Sequence, residues 1–534
     1  MPSSLEREHP IRTAWALAFA ALAGVLHGAC FAPLGVWPLS FVALAPLVAA
    51  TRGRRAAAGL GLGWVAGTIA PAIAVVPWVA AATHDYFTQG SLGAVLFAFA
   101  VTQVMGALPA AAFGVALTRL AVLPSVSVRV LGAAACWTAL ELARARLFGA
   151  PWDLLAHALY AHPLWIQPAE LGGAFLVSFV LAAAAAAAGE AVVAPRAERL
   201  RALALGAALV ALDAGYGAFR LHAVPDDGGA MMRVALVQGN APNAWRLDVA
   251  RAEDALHIFV ETTRRVAPLR PDLVVWPENA VSFLLAPNPQ LGRAVTEVLG
   301  ADGPPLVVGG PRYAPAGDGR VQFFNSAYLL SPAGDPLAFY DKRRLVPFAE
   351  YAPIARLPGL GWRFDAPGEY TPGIVPTVFT RPDRFGVLIC FEAIYPELAR
   401  DLVRAGARLL VNVSNDAWFG SSAGLEQHFA ATVFRAVETR RAVARATNTG
   451  ITGVVGPSGR IVARFPAHVR GAWVVSVPLR DETTPYSRWG DGFAQLASGA
   501  AMLALVAARG KSGPSAQRRA RSPRPSPSAA REFA

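Results

Sequence analysis

Between Met231 and Arg488 the chain holds one cysteine, Cys390, and one lysine, Lys342. The lysine stands out because the chain otherwise avoids lysine: of 48 Lys and Arg residues only Lys342 and Lys511 are Lys. Arg343 and Arg344 follow it, so a third arginine would have served if charge alone were needed. An ammonium differs from a guanidinium in being a compact point charge whose pKa can shift. Together these residue types fit covalent acyl chemistry. A deprotonated thiol attacks an acyl carbon. A carboxylate within hydrogen-bond reach can take its proton, and an ammonium can hold the tetrahedral oxyanion. Glu278 offers the carboxylate.

The three residues share one kind of location. Glu278 follows LVVW-Pro, Lys342 follows LAFY-Asp and Cys390 follows VLI, each at the end of a β-rich run. Ends of neighbouring strands in one sheet converge. Taken singly, each has a plainer reading: an inert core thiol, a turn acid, a surface ion pair with Asp341. The conjunction, in a domain with so little Cys and Lys, is what points to a site. The histidines of this region are His257, His428 and His468, and a Cys390–His428 pair is the competing, less favoured arrangement. No close His/Cys spacing suggests a metal, and no cofactor is expected.

The elements that must position these residues alternate between strand and helix. Strands are predicted at 233–240, 272–279, 305–310, 325–330, 336–342, 386–390 and 408–416, and helices at 248–266, from about Pro396, and at 426–445. A hairpin is expected over 450–465 around Pro457-Ser458-Gly459. Fully apolar strands mixed with helices argue a layered α/β sandwich.

Outside this block the composition changes. The 534 residues are only 16% charged, against about 25% for a soluble protein. Apolar stretches long enough to be considered for spanning lie near 13–31, 37–51, 56–82, 91–118, 128–148, 164–194 and 201–219, with an eighth near 491–508. The second and eighth are short. Arginines mark alternate gaps: Arg7 and Arg12, then Arg52, Arg54 and Arg55, then Arg119 and Arg129, then Arg196, Arg199 and Arg201. By the positive-inside rule the N-terminus is cytoplasmic and the polar domain lies outside; Arg144 and Arg146 are the exception. The expected organisation is a transmembrane bundle over 1–225, a catalytic domain over 230–488, a C-terminal transmembrane helix over 491–508 and a basic, disordered cytoplasmic tail over 509–534. Net charge is +12, but it sits in loops and tail and no nucleic-acid motif accompanies it. Cys30 and Cys136 lie in apolar runs and read as buried hydrophobes; His27 argues against a lipoprotein cleavage site before Cys30. Glu141 and Asp213, near the ends of apolar runs, are expected to be structural.

The order Glu, Lys, Cys within WPEN, YDKRRLVPFAEY and ICFE resembles the nitrilase, or carbon–nitrogen hydrolase, superfamily. The flanking apolar segments, with VQGN (237–240), KRRLVPFAEY (342–351), SNDAWFG (414–420) and RATNTG (445–450), narrow the resemblance to the apolipoprotein N-acyltransferase family. It covers essentially all but the tail. It implies a multi-pass α-helical membrane domain plus a nitrilase-like αββα sandwich, in the bacterial inner membrane with the catalytic domain on the periplasmic side. It implies that Cys390 takes the sn-1 acyl chain of a phospholipid, typically phosphatidylethanolamine. The thioester then passes the chain to the N-terminal amine of a diacylglyceryl apolipoprotein. By motif Glu278 is the base, Lys342 the oxyanion stabiliser and Cys390 the nucleophile, with Glu350 and Glu392 as supporting acids; a salt bridge to nearby arginines is their plainer reading. Phe391 stands where the family commonly has Tyr, and Leu247 where many members have Trp; Trp245 could serve instead. Trp418 and Phe419 are candidate apolar gate residues. Two rival readings remain: a membrane-tethered amidase that transfers to water, and a transporter or scaffold with a non-catalytic domain.

Overall fold

The computed structural model describes residues 12–87, 90–241, 249–283, 289–316, 320–347, 349–351 and 370–511. Six of its helices are long and apolar enough to cross a membrane: Ala56–Ala74, Ser91–Leu120, Val126–Leu147, Ala174–Val193, Arg196–Ala223 and Gly492–Gly510. Thr13–Ala29 and Trp37–Thr51, the first two expected segments, are shorter. Two expected spans are broken. The 56–82 stretch ends its first helix at Ala74 and restarts at Val76, next to Pro77. The 164–194 stretch is interrupted at Gly173, whose φ of +71° stops one turn before Ala174–Val193 begins. Small residues let the helices close. Gly59, Gly63 and Gly67 lie against the segment Gly106–Gly114, where an added Cβ would overlap backbone atoms; such small-residue contacts replace the hydrophobic effect inside lipid. Arg52 and Arg129 both meet Glu190, at 3.0 and 2.9 Å, so arginines read as sharing one face of the membrane do lie together.

The polar block forms two six-stranded sheets. We number its strands β1 (Met231–Gln238), β2 (Leu273–Val275), β3 (Leu306–Pro315), β4 (Val321–Leu330), β5 (Pro336–Asp341), β6 (Val378–Phe379), β7 (Phe385–Ile389), β8 (Leu409–Ser414), β9 (Val443–Thr447), β10 (Gly453–Val455), β11 (Ile461–Arg464) and β12 (Gly471–Pro478). The first sheet has the order β12-β1-β2-β3-β4-β5 and the second β11-β10-β9-β8-β7-β6. In each sheet three central strands run parallel, β1-β2-β3 and β7-β8-β9. Side chains alternate across each strand. Val234 and Leu236 face the second sheet, where they join Val387, Ile389, Val411 and Val413. Ala235 and Val237 face outward onto Phe259 of the helix Val249–Arg264. The second sheet is covered by Pro396–Arg404 and Gly424–Thr439, and their apolar core runs without interruption into the membrane helices. One helix layer of the sandwich is therefore also the floor on which the bundle rests.

The structure corrects several boundaries. The helix expected over 426–445 ends at Thr439, and Val443–Thr447 is instead β9, because the left-handed Arg440 ends the helix. The strand expected over 272–279 is only Leu273–Val275. Edge strand β12 has no counterpart in the sequence reading.

Candidate active site

Three strand ends meet at one cavity of about 490 Å³. Glu278 follows β2 in the turn that carries left-handed Asn279. This turn packs on β3 at Gly309, where a Cβ would come within 2.6 Å of the Glu278 Cα. Lys342 follows β5, its amide tied to the Asn325 carbonyl at 2.8 Å. Cys390 follows β7 and has a φ of +54°. A positive φ is unfavourable for a residue with a Cβ; it turns the chain sharply, and Cys390 lines the cavity.

The Lys342 ammonium lies 3.0 Å from Glu278 Oε1 and 2.9 Å from Glu350 Oε1. Asn325 Nδ2 donates to the same two oxygens at 2.8 Å each. Glu278 Oε2 accepts from the Asn415 amide at 3.1 Å, and Glu350 Oε2 from the Val346 amide at 2.7 Å. Lys342 is 1% exposed and Glu278 4%, so these ion pairs act where water screens little. Burial alone would lower the ammonium's pKa; Glu278 and Glu350 outweigh it and hold Lys342 well above its ordinary value. Burial, then the Glu278 charge, pushes the Cys390 thiol well above its ordinary value, while Lys342 pulls it down. Cys390 therefore rests as a neutral thiol on the cavity that Glu278 also lines.

Glu392 has another task. Its carboxylate accepts from Tyr340 Oη (2.9 and 3.0 Å) and from the amides of Ile389 (2.8 Å), Arg343 (2.6 Å) and Arg344 (3.2 Å). It meets Arg343 and Arg344 through their backbone, not as the salt bridge the sequence suggested. It thereby fastens the loop after Lys342 to the turn that carries Cys390. Burial pushes its carboxyl up to about 7, against the pull of these donors.

His428 contacts the Cys390 backbone carbonyl at 3.2 Å through Nε2. On the other side of the ring Nδ1 lies 3.0 Å from both Asp416 Oδ1 and Arg445 Nη2. Both ring nitrogens thus face partners other than the sulfur, and the imidazole holds the backbone of the turn. Arg445 in turn is paired with Asp416 at 2.6 Å, and Asn412 Nδ2 donates to the carbonyls of Leu388 (2.9 Å) and Cys390 (3.4 Å).

The rest of the cavity wall comes largely from the membrane helices, including Ala66, Ala70, Trp78, Val101 and Met105. Phe391 stacks on Trp152 at 5.9 Å and 18° and meets Tyr395 edge-on. Trp418 and Phe419 both line the cavity, and Phe419 packs edge-on against Trp78 at 5.3 Å. Gln427 joins the two parts of the molecule. Its Oε1 accepts from Trp78 and Trp152, each at 2.9 Å, and its Nε2 donates to the carbonyls of Ala32 (2.9 Å) and Ala74 (2.7 Å).

This arrangement can be set beside known proteins. The carbon-nitrogen hydrolase family matches residues 233–484, and the apolipoprotein N-acyltransferase N-terminal domain matches residues 23–187. The apolipoprotein N-acyltransferase of Geobacter metallireducens is 36% identical over 92% of this chain and 95% of its own length. That of Azotobacter vinelandii is 35% identical over 93% and 97%. The chain belongs to the apolipoprotein N-acyltransferase family. It is an acyltransferase with a membrane domain and a nitrilase-like α/β domain of two sheets. Among solved structures, an amidase of the nitrilase superfamily from Nesterenkonia is 21% identical over 51% of this chain and 98% of that chain, with a TM-score of 0.37.

Glu278, Lys342, Glu350, Cys390, Phe391 and Trp418 are thus brought to one cavity, and Glu392 stands behind it. Trp245 and Leu247 lie outside the described residues. Sequence reading missed Asn325, Tyr340, Trp152 and Gln427. Asn325 sits within NSAYLL, a run read only as a strand, and Gln427 within 426–445, read only as a helix.

Proposed function

We propose that this acyltransferase moves the sn-1 acyl chain of a phospholipid, through a thioester on Cys390, to the N-terminal amine of a diacylglyceryl apolipoprotein. The observation that carries this reading is that one cavity is shared by a thiol, an ammonium and a carboxylate at its polar end and by membrane helices along its apolar length. In the first half, Glu278 takes the thiol proton as sulfur attacks the ester carbonyl. Lys342 Nζ faces the developing oxyanion. Collapse breaks the ester C–O bond, and the glycerol oxygen leaves with the proton held by Glu278, giving a lysophospholipid. In the second half the acceptor amine attacks the thioester, Glu278 accepts its proton, and the Cys390 thiol is restored as the amide forms. Glu350 and Asn325 keep Lys342 and Glu278 in register; Glu392 keeps the two loops together.

Both substrates are lipids, and each buried CH₂ holds them in the bilayer by about 0.8 kcal/mol. That explains why the wall of the cavity is built from membrane helices. The same reading places the chain in the bacterial inner membrane, with 230–488 on the periplasmic side, 1–225 and 491–508 as membrane regions and 509–534 in the cytoplasm. Phosphatidylethanolamine is the expected donor.

The test is intact-mass analysis of the full chain after incubation with phospholipid. An added acyl mass is expected on the wild type, removable by hydroxylamine and absent in Cys390→Ala. Accumulation of lysophospholipid with no adduct in a rapid quench would overturn the covalent route, and release of free fatty acid without N-acylated lipopeptide would favour a hydrolase.

A further inference from the structure

The cavity carries charge that the strand-end residues do not account for. On its bundle side the ionisable groups are His27, Glu141, Arg144 and Asp153. Glu141 is 4% exposed. Its Oε1 accepts from Trp137 Nε1 at 3.0 Å and the Leu155 amide at 2.8 Å, while its Oε2 is buried without a hydrogen-bond partner. Asp153 Oδ2 is likewise buried and unpartnered. Arg144, three residues beyond Glu141 on the same helix, donates to the Asp153 backbone carbonyl at 3.2 Å. Buried carboxylate oxygens are normally hydrogen-bonded. Two left open on one cavity, beside one guanidinium, describe a place that awaits a donor of positive charge.

Its position is informative. Trp152, next to Asp153, stacks on Phe391, the residue after the cysteine. Tyr395 Oη donates to the Gly149 carbonyl at 2.7 Å, binding the same loop to the Cys390 turn. A phospholipid with its ester carbonyl at the sulfur has its headgroup only a few bonds away, beside this loop. One guanidinium and two carboxyl groups suit a zwitterion better than a headgroup of net negative charge. A primary ammonium can donate N–H bonds to a carboxylate; a trimethylated one cannot.

Building on the thioester reading above, we propose that Asp153, backed by Glu141, receives the primary ammonium of the donor lipid headgroup while Arg144 receives its phosphate. Asp153 and Arg144 are then specificity residues for the donor half-reaction, and the acceptor amine does not use them.

The test compares three lipids with matched acyl chains in nanodiscs: an ethanolamine, a choline and a glycerol headgroup. Single-turnover acylation of Cys390 is followed by intact mass. Loss of one charge-assisted hydrogen bond corresponds to about tenfold or more, so the wild type should favour ethanolamine over choline by at least about that factor. Asp153→Asn, which keeps the shape, should bring the ratio within about threefold, and Arg144→Gln should slow all three. Aminolysis of the preformed thioester by a diacylglyceryl peptide should not change in Asp153→Asn. A headgroup ratio unmoved by Asp153→Asn overturns the proposal, as does an effect confined to aminolysis, which would assign the carboxylate to the acceptor. Native mass spectrometry of lipids retained by Cys390→Ala, with and without Asp153→Asn, reads the same selectivity without chemistry. It therefore decides the subsite even if no thioester forms.

Discussion

Two buried charge clusters flank Cys390, and they differ in what they leave unfinished. On one side Glu278, Glu350 and Lys342 face the cavity, and two carboxyl groups share one ammonium. On the other side Asp416, Arg445 and His428 are 0% exposed: one carboxylate matches one guanidinium, and the ring is neutral because burial and Arg445 depress its pKa. Ser414 Oγ and Arg445 Nη2 donate to Asp416 at 2.6 Å each, and His428 Nδ1 lies 3.0 Å from its Oδ1. The balanced cluster holds the backbone under the sulfur; the unbalanced one faces the cavity, where the proposed reaction would move a proton.

The comparison makes graded predictions. Cys390→Ala removes the atom both clusters serve, and lipopeptide N-acylation should fall on the order of 10⁴-fold or more, measured by lipopeptide mass shift, with the melting temperature nearly unchanged. Lys342→Met and Glu278→Gln, in the unbalanced cluster, should each lower the acylation rate by about 10²–10³ while the chain still folds. Asp416→Asn, in the balanced cluster, should act first on stability. It strands Arg445 in the interior, an effect of about 3–5 kcal/mol, read by thermal or denaturant unfolding in detergent. Equal melting losses in Glu278→Gln and Asp416→Asn would erase the distinction drawn above.

The pH behaviour of the clusters should also differ. Burial alone would raise the Asp416 carboxyl; the Arg445 charge, helped by the Ser414 hydrogen bond, outweighs it and holds it well below the usual range. A depressed folded pKa gives stability that is full above the unfolded value, about 4, and is lost as pH falls toward the folded one. The stability difference between wild type and Asp416→Asn should therefore shrink below about pH 4. Alkylation of Cys390 by a small reagent, mapped by peptide mass, should keep rising past pH 9, because burial and Glu278 hold the thiol above its ordinary value. A plateau near the free-thiol pKa of about 8.5 would contradict this. The smallest effect is expected for Tyr340→Phe. It removes one donor to Glu392, about 1–3 kcal/mol of stability, and should change the acylation rate by only about threefold at most.

Residue types and strand ends were legible in the chain. Lys342 and Cys390 stood out because they are scarce, and Glu278 because it shares their place after an apolar run; a strand's end is written in local hydrophobicity. Glu350 was legible only through the family resemblance carried by KRRLVPFAEY. Asn325 and Gln427 were not, since each is an ordinary polar residue whose partners lie far along the chain: Glu278 is 47 residues from Asn325, and Ala32 is 395 from Gln427. The breaks at Val75 and Gly173 escaped a count of apolar residues, because hydropathy does not register a change in backbone direction.

By itself the sequence determined the chemical inventory, the alternation of strand and helix and the separation into lipid-facing and polar stretches, because these depend on side-chain type and short-range periodicity. Only the tertiary structure decided that Glu392 is a brace rather than an ion-pair partner, that His428 grips a carbonyl rather than the sulfur, and that the bundle itself walls the cavity. Such roles depend on which backbone atoms of distant segments come within about 3 Å, and no local pattern encodes that distance.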